Sequence, residues 1–70
     1  MTKEITVKKH YQGCFRVSNG GKIFGQIKKT GRKWTAEIRY SQTGELLQYA
    51  GIWAIKREAV EEVVFLILKF

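Results

Sequence analysis

The segment Lys33–Gly44, KWTAEIRYSQTG, decides the fold, because apolar and polar side chains alternate strictly from Lys33 to Tyr40. Alternation with a period of two is typical of a β-strand that has one buried face and one accessible face. The side chains predicted to face the core are Trp34, Ala36, Ile38 and Tyr40. The other face carries Lys33, Thr35, Glu37 and Arg39. The function of the protein therefore depends on what this second, charged face contacts.

Turn signals on both sides of this segment predict further antiparallel strands. Glycine with Asn, Ser or Thr marks the turns Ser18–Gly21, Lys29–Arg32 and Gln42–Glu45. These residues reach the backbone conformations of tight hairpins at little cost, and the spacing suits consecutive strands. The predicted strands are Cys14–Ser18, Lys22–Lys28, Lys33–Ser41 and Leu46–Ile52. A looser extended segment, Ile5–His10, is predicted to add to an edge of the sheet.

The last part of the chain changes to a helical period. One face of a helix over residues 55–70 collects the apolar side chains Ala59, Val60, Val63, Ile67 and Phe70. A small sheet needs such a cover, because a bare meander is only marginally stable in water. The sequence therefore predicts an α+β fold: a small antiparallel meander of three to four strands with one C-terminal helix packed on one face. Residues 1–70 form a single domain, with the sheet in 13–53 and the helix in 55–70.

Net charge is the most informative feature of the composition. Thirteen basic residues oppose six acidic ones, which gives +7 on 70 residues. Ten of the basic residues, but only Glu4 and Glu37 of the acidic ones, lie in residues 1–40. Such asymmetry favours a polyanionic partner, nucleic acid before membrane, over a lysine surface kept only for solubility.

The sequence gives little support for an enzyme, a metal-binding protein or a membrane protein. Cys14 is the only cysteine, His10 the only histidine, and aspartate does not occur, so neither a disulfide, a metal-binding set nor a Ser-His-Asp triad can be assembled. We expect no enzyme activity, no cofactor and no metal. The longest apolar run, Val63–Leu68, is too short to cross a bilayer, and the N-terminal residues lack the apolar core of a secretory signal. We therefore expect a cytoplasmic, nucleoid-associated protein that contacts no membrane.

Candidate nucleic-acid-binding residues lie on the charged face and at the hairpin turn beside it. Four cations in and around the turn KKTGRK are predicted to bind phosphates: Lys28, Lys29, Arg32 and Lys33. Arg39 is the candidate for base readout, because a guanidinium can bridge O6 and N7 of guanine. Glu37 either accepts from a cytosine amino group or pairs with a cation across strands. Thr35 and Gln26 can bond phosphate or base, or are ordinary strand surface.

Three short motifs carry a resemblance to known DNA-binding domains. They are Trp34–Arg39 (WTAEIR), Tyr49–Trp53 (YAGIW) and, at the start of the helix, Arg57–Val60 (REAV). Their order resembles the three-stranded-sheet-plus-helix domains of plant ethylene-response factors and the N-terminal arm-binding domains of phage and transposon tyrosine integrases. The similarity covers about Gly25–Val60, roughly half the chain. A looser similarity links the chain to single-strand-binding transcriptional coactivators.

The resemblance implies that the exposed sheet face enters the DNA major groove, with the helix on the far side. When the family's contact positions are carried over to this chain, Glu37 and Arg39 would contact DNA. Lys29 would take the basic position before the turn, and Tyr49 would take an aromatic contact position on the last strand. The chain departs from the plant pattern where Phe24 and Ile27 replace expected basic residues. Phosphate binding is thus implied more strongly than base reading.

The predicted function is duplex DNA binding in phage or mobile-element recombination or in transcription regulation. One alternative is a small phage- or element-encoded inhibitor that binds a host protein, and another is single-stranded nucleic-acid binding. Phe65 falls among charged residues on the helical wheel, so it either marks a homodimer or partner contact on the C-terminal helix or packs under the N-terminal segment.

Overall fold

The computed structural model describes residues 4–69, which form five strands followed by one helix. The elements are β1 Thr6–Tyr11, β2 Cys14–Ser18, β3 Ile23–Thr30, β4 Lys33–Tyr40, β5 Leu46–Trp53 and α1 Lys56–Lys69. The strands form one antiparallel meander in the order β1-β2-β3-β4-β5, and α1 packs against β2, β3, β4 and β5. The predicted α+β meander with a C-terminal helix on one face is therefore confirmed.

The sheet has five strands rather than three to four, because the N-terminal segment pairs fully with β2. Thr6 lies opposite Ser18 and Lys8 opposite Arg16, with a bulge between Lys9 and Tyr11. Every residue of β1 is exposed, and among residues 4–69 the helix makes no contact with it. A strand that lies beyond the helix needs no apolar side chains, so its composition gave only a weak strand signal. The sheet consequently begins well before residue 13.

The core lies between α1 and one face of the sheet. The sheet contributes five buried residues, Val17, Ile27, Ala36, Ile38 and Ala50, and the helix contributes Ala59, Val63 and Ile67. The predicted core positions Ala36, Ile38, Ala59, Val63 and Ile67 are confirmed. Trp34, Trp53 and Val60 pack around this cluster half-buried. Phe70, also predicted for this face, lies outside the described residues.

One close contact sets the distance between helix and sheet. Gly25 lies on the covered face of β3 beneath Val63, and a Cβ atom at Gly25 would come within 1.8 Å of Val63 Cγ1. No side chain other than hydrogen fits there. The helix therefore rests almost directly on the backbone of β3.

Candidate nucleic-acid interface

The face of the sheet opposite the helix, here called the open face, carries a polar row that crosses all five strands. Cross-strand pairing places Lys8 opposite Arg16, Arg16 opposite Gln26, Gln26 opposite Glu37, and Glu37 opposite Tyr49. A parallel row combines Lys28, Thr35 and Ile52. The predicted site residues that lie on this face are Gln26, Lys28, Lys33, Thr35, Glu37, Arg39 and Tyr49. The fold thus brings most of the predicted site together.

The centre of the open face is a hydrogen-bonded network around Glu37. Arg39 Nε donates to Glu37 Oε1 at 2.8 Å, and Gln26 Nε2 donates to the same oxygen at 3.4 Å. Arg39 Nη1 also donates to the Gly44 carbonyl at 2.7 Å. The hydrogen bond to Glu37 raises the pKa of Arg39 above its already high ordinary value. The Glu37 side chain is only 14 % exposed, and its charge is largely neutralised by Arg39 because their atoms Oε1 and Nε lie 2.8 Å apart.

This network changes what the central side chains offer a ligand. Gln26, Glu37 and Arg39 are half-buried rather than fully solvated, because they lie along the sheet and bond one another. Thr35 is also half-buried, and its hydroxyl lies 3.4 Å from the Thr30 hydroxyl. Arg39 already uses two of its nitrogens, and 32 % of its side chain remains exposed. Its remaining donors can meet a ligand only in an orientation fixed by Glu37 and Gly44.

Phe24 shows how the open face compensates for an apolar residue. Phe24 is buried, and the guanidinium carbon of Arg16 lies 4.9 Å from its ring centroid. Arg16 therefore places a cation from β2 above the apolar Phe24 of β3. Ile27 lies fully buried in the core beneath the helix.

The four cations of the β3–β4 hairpin divide between the two sides of the sheet. Lys28 and Lys33 follow the alternation of the open face, and Arg32 lies exposed in the turn. Lys29 pairs with Trp34 and lies on the helix side, with its Nζ 6.0 Å from the indole ring. The predicted cluster of four is thus reduced to Lys28, Lys33 and Arg32 on or beside the open face.

Exposed apolar side chains flank the cations of the open face. On β5, Tyr49 is 66 % exposed and Ile52 is 67 % exposed, and both belong to rows of the open face. Tyr11 at the end of β1 is also exposed. A ligand can stack on or pack against these large side chains while the neighbouring cations pair with its negative charges.

The exposed side of α1 offers a contrast, because its charges balance. Arg57 faces Glu61 at 3.6 Å, and Glu58 lies in the first helical turn with Lys69 in the last. Both placements complement the helix dipole. Phe65 and Leu68 are exposed on this helix, and Lys69 Nζ lies 6.0 Å from the Phe65 ring. A protein contact through Phe65 stays a prediction.

Sequence reasoning missed the contribution of the first hairpin to the open face. Lys8, His10 and Arg16 were not among the predicted site residues, yet they extend its charged row across β1 and β2. The signal was present in β2, where Phe15 and Val17 alternate with Arg16. Alternation alone would have placed Arg16 opposite the core.

Three further findings limit the chemistry of the described part of the chain. Among residues 4–69, no group of three or more His, Cys, Asp or Glu side chains lies close enough to hold a metal ion. Over the same residues, no helix is sufficiently long and apolar to cross a membrane. Comparison with protein-family models, curated proteins and solved structures gives no match for this chain. The resemblance to sheet-plus-helix DNA-binding domains stays a prediction.

Proposed function

We propose that the protein binds duplex DNA through the open face of its sheet. The observation that carries this proposal is the charge of that face: among the described residues of strands β1 to β5, its cations are Lys8, Arg16, Lys28, Lys33 and Arg39, and its one carboxylate is Glu37. That carboxylate, Glu37, is already paired with Arg39. A surface with many cations and one neutralised acid attracts phosphates and repels cations.

The dimensions of the sheet also support a duplex. A two-stranded ribbon fits the major groove of B-DNA, which is about 12 Å wide. The β3–β4 hairpin has the longest unbroken pairing in the sheet, from Ile23 opposite Tyr40 to Thr30 opposite Lys33, and it presents Lys28 and Lys33 beside its turn. Gln26 and Arg39, farther along the same hairpin, then lie at the level of the base edges. Phosphate contacts would position the protein, and the constrained Arg39 would limit which bases it reads.

The proposal is tested by titrating a labelled random duplex at several salt concentrations. We expect binding that weakens steeply between about 50 and 200 mM salt, because bound cations release counterions. The double variant Lys28→Ala/Lys33→Ala should lower the magnitude of the logarithmic salt slope by about 1.8, the value for two phosphate contacts. Lys28 and Lys33 are preferred to Arg39 for this test, since removing Arg39 would also leave Glu37 without its partner.

The matched control is Arg57→Ala/Lys69→Ala, which removes the same charge from the helix. It should leave the slope unchanged, because these residues lie on the side away from the open face. Equal losses in both double variants would show that only total charge matters and would contradict the open-face model. If the wild-type protein does not bind duplex at low salt, the proposal is overturned. The alternative of an inhibitor that binds a host protein predicts this absence of binding.

Single-stranded nucleic acid is the second candidate, and the exposure of Tyr49 and Ile52 favours it. Bases stack on exposed aromatic side chains without regard to sequence, which a closed duplex does not permit. The same titration, repeated with a single-stranded oligonucleotide, distinguishes the two. Tighter binding of the single strand than of the duplex would replace the duplex proposal with this one.

A cytoplasmic, nucleoid-associated location and a role in recombination or transcription regulation belong to this proposal. They depend on duplex binding and on the motifs Trp34–Arg39 and Tyr49–Trp53. The chain's own residues support the ligand class more directly than they support the cellular process.

A further inference from the structure

A groove of about 460 Å³ opens along the β1–β2 hairpin, apart from the predicted hairpin site on β3 and β4. Basic and hydroxyl side chains dominate its lining, which includes Thr6, Lys8, Lys9, His10, Arg16 and Ser18. Of the described residues that line it, none is acidic. A concave site with three cations and no carboxylate suits a compact anion.

Arg16 is held in a fixed orientation in this groove. Its guanidinium lies over the Phe24 ring at 4.9 Å, and its Nη2 lies 3.3 Å from His10 Nε2. A guanidinium can only donate, so His10 Nε2 is the acceptor in this contact. These two contacts leave the other guanidinium nitrogens of Arg16 without a partner among residues 4–69. A planar donor that is already oriented loses little entropy when it binds an oxyanion.

Ser18 adds a directed hydroxyl. Its Oγ accepts a hydrogen bond from the Gly20 backbone N–H at 2.9 Å, so the hydroxyl hydrogen is free to donate. Lys8 lies directly opposite Arg16, and Thr6 lies directly opposite Ser18. Two cations and two hydroxyls thus meet across one pair of strands.

We infer that this groove is a binding site for a phosphoryl group, held by Lys8 and Arg16 with the Ser18 hydroxyl as a further donor. Arginine offers a phosphate two parallel hydrogen bonds, and lysine adds a point charge. The phosphoryl group comes either from the DNA backbone or from a free phosphate or phosphate ester.

The backbone source rests on the proposed function and agrees with the geometry of the sheet. Strands β1 and β4 are three strand spacings apart, which corresponds to about 14 Å. That separation is comparable with the width of the major groove, about 12 Å. Lys8 on β1 and Arg16 on β2 would then contact one DNA strand while Lys33 on β4 contacts the other, with Gln26 on β3 between them.

The first experiment needs no DNA. Inorganic phosphate is titrated into the full chain and followed by amide chemical shifts, with chloride at equal ionic strength as the reference. We expect saturable shifts at Lys8, Arg16, Ser18 and Gly20, abolished in Lys8→Ala/Arg16→Ala and preserved in Arg57→Ala/Lys69→Ala. Arg16→Lys keeps the charge but loses the planar donor over Phe24, so it should weaken phosphate binding several-fold while the circular dichroism spectrum stays unchanged.

The second experiment measures the salt slope of duplex binding in the same variants. A slope smaller in magnitude by about 1.8 in Lys8→Ala/Arg16→Ala assigns the site to the DNA backbone. Phosphate shifts with an unchanged slope assign it to a free phosphate, and phosphate shifts in a protein that binds no duplex support the site even though the proposed function fails. Absence of saturable phosphate shifts together with an unchanged slope would overturn the inference and leave duplex binding through Lys28 and Lys33 intact.

Discussion

The two faces of one strand, β4, are stabilised by different physics. On the covered face Ala36 and Ile38 are completely buried beneath α1. On the open face Glu37 and Arg39 are half-buried and are held by hydrogen bonds to each other and to their neighbours. Burial of apolar surface is not weakened by ionic screening, whereas charge pairing at a surface is weak and screened. The difference separates the part of the molecule that makes the fold from the part that is free to change with function.

That separation predicts that residues on opposite faces of β4 respond very differently to substitution. Ile38→Ala should lower the free energy of unfolding by about 2–5 kcal/mol, because it removes buried methyl groups and leaves a cavity. Thr35→Ala, on the open face of the same strand, should change it by less than about 1 kcal/mol. Urea denaturation followed by tryptophan fluorescence measures both values.

A domain of 70 residues has a total stability of roughly 4–10 kcal/mol, so Ile38→Ala can leave too little folded protein to measure. Ile38→Val serves then, with an expected loss of about 0.5–1.5 kcal/mol. Losses of similar size at positions 35 and 38 would mean that the open face is also part of a buried core or of a subunit contact.

The second prediction concerns the contact that sets the helix height. Gly25→Ala should destabilise the protein by about 1–3 kcal/mol, because the new methyl group would overlap Val63. In a Val63→Ala background the same substitution should cost less, since the overlap with Cγ1 is gone and only the 3.1 Å approach to the Cβ atom of residue 63 remains. The coupling free energy from this double-mutant cycle, measured by urea denaturation, tests the contact directly. Additive effects would show that the helix does not rest on β3 at this point.

The sequence predicted the covered face better than the open one. Ala36 and Ile38 on β4 and Ala59, Val63 and Ile67 on α1 are buried as their spacing predicts, and Trp34 packs against them. The same alternation was wrong for Tyr40, which ends β4 and is 41 % exposed. β5, LLQYAGIW, has no clean alternation in sequence, and the structure gives the reason. Its pairing with β4 shifts register between Thr35 and Glu37, near Gly51 at φ +95°. A bulge breaks the period on which the interpretation depended.

The candidate site was predictable in its residues but less so in their contacts. Alternation places Gln26, Lys28, Thr35, Glu37 and Arg39 on one face, as the structure has them. Alternation does not show that Arg39 turns back to the Gly44 carbonyl, because that contact depends on the path of the β4–β5 turn. The predicted cluster of four cations at the β3–β4 hairpin was based on closeness in sequence and did not consider the two faces of the sheet. Lys29 was therefore grouped with Lys28 and Lys33, although it lies on the helix side beside Trp34.

The third and smallest predicted effect compares two ion pairs, one on each side of the molecule. A double-mutant cycle on Glu37 and Arg39 should give a coupling free energy of about 0.5–1 kcal/mol, because the pair is short, partly shielded and supported by Gly44. The cycle on Arg57 and Glu61 should give no more than about 0.5 kcal/mol, because both side chains are largely exposed and 3.6 Å apart.

Urea denaturation at low and at high salt measures both couplings, and only the Arg57–Glu61 value should vanish as salt is added. The result bears on function, because an Arg39 that is coupled to Glu37 acts as an oriented donor rather than a free cation. Substituting Arg39 by Lys should then keep the charge of the open face but lose the link to Gly44. Equal and negligible coupling free energies in the two cycles would show that Arg39 is not oriented by Glu37 and acts as a mobile surface cation, as Lys28 and Lys33 do.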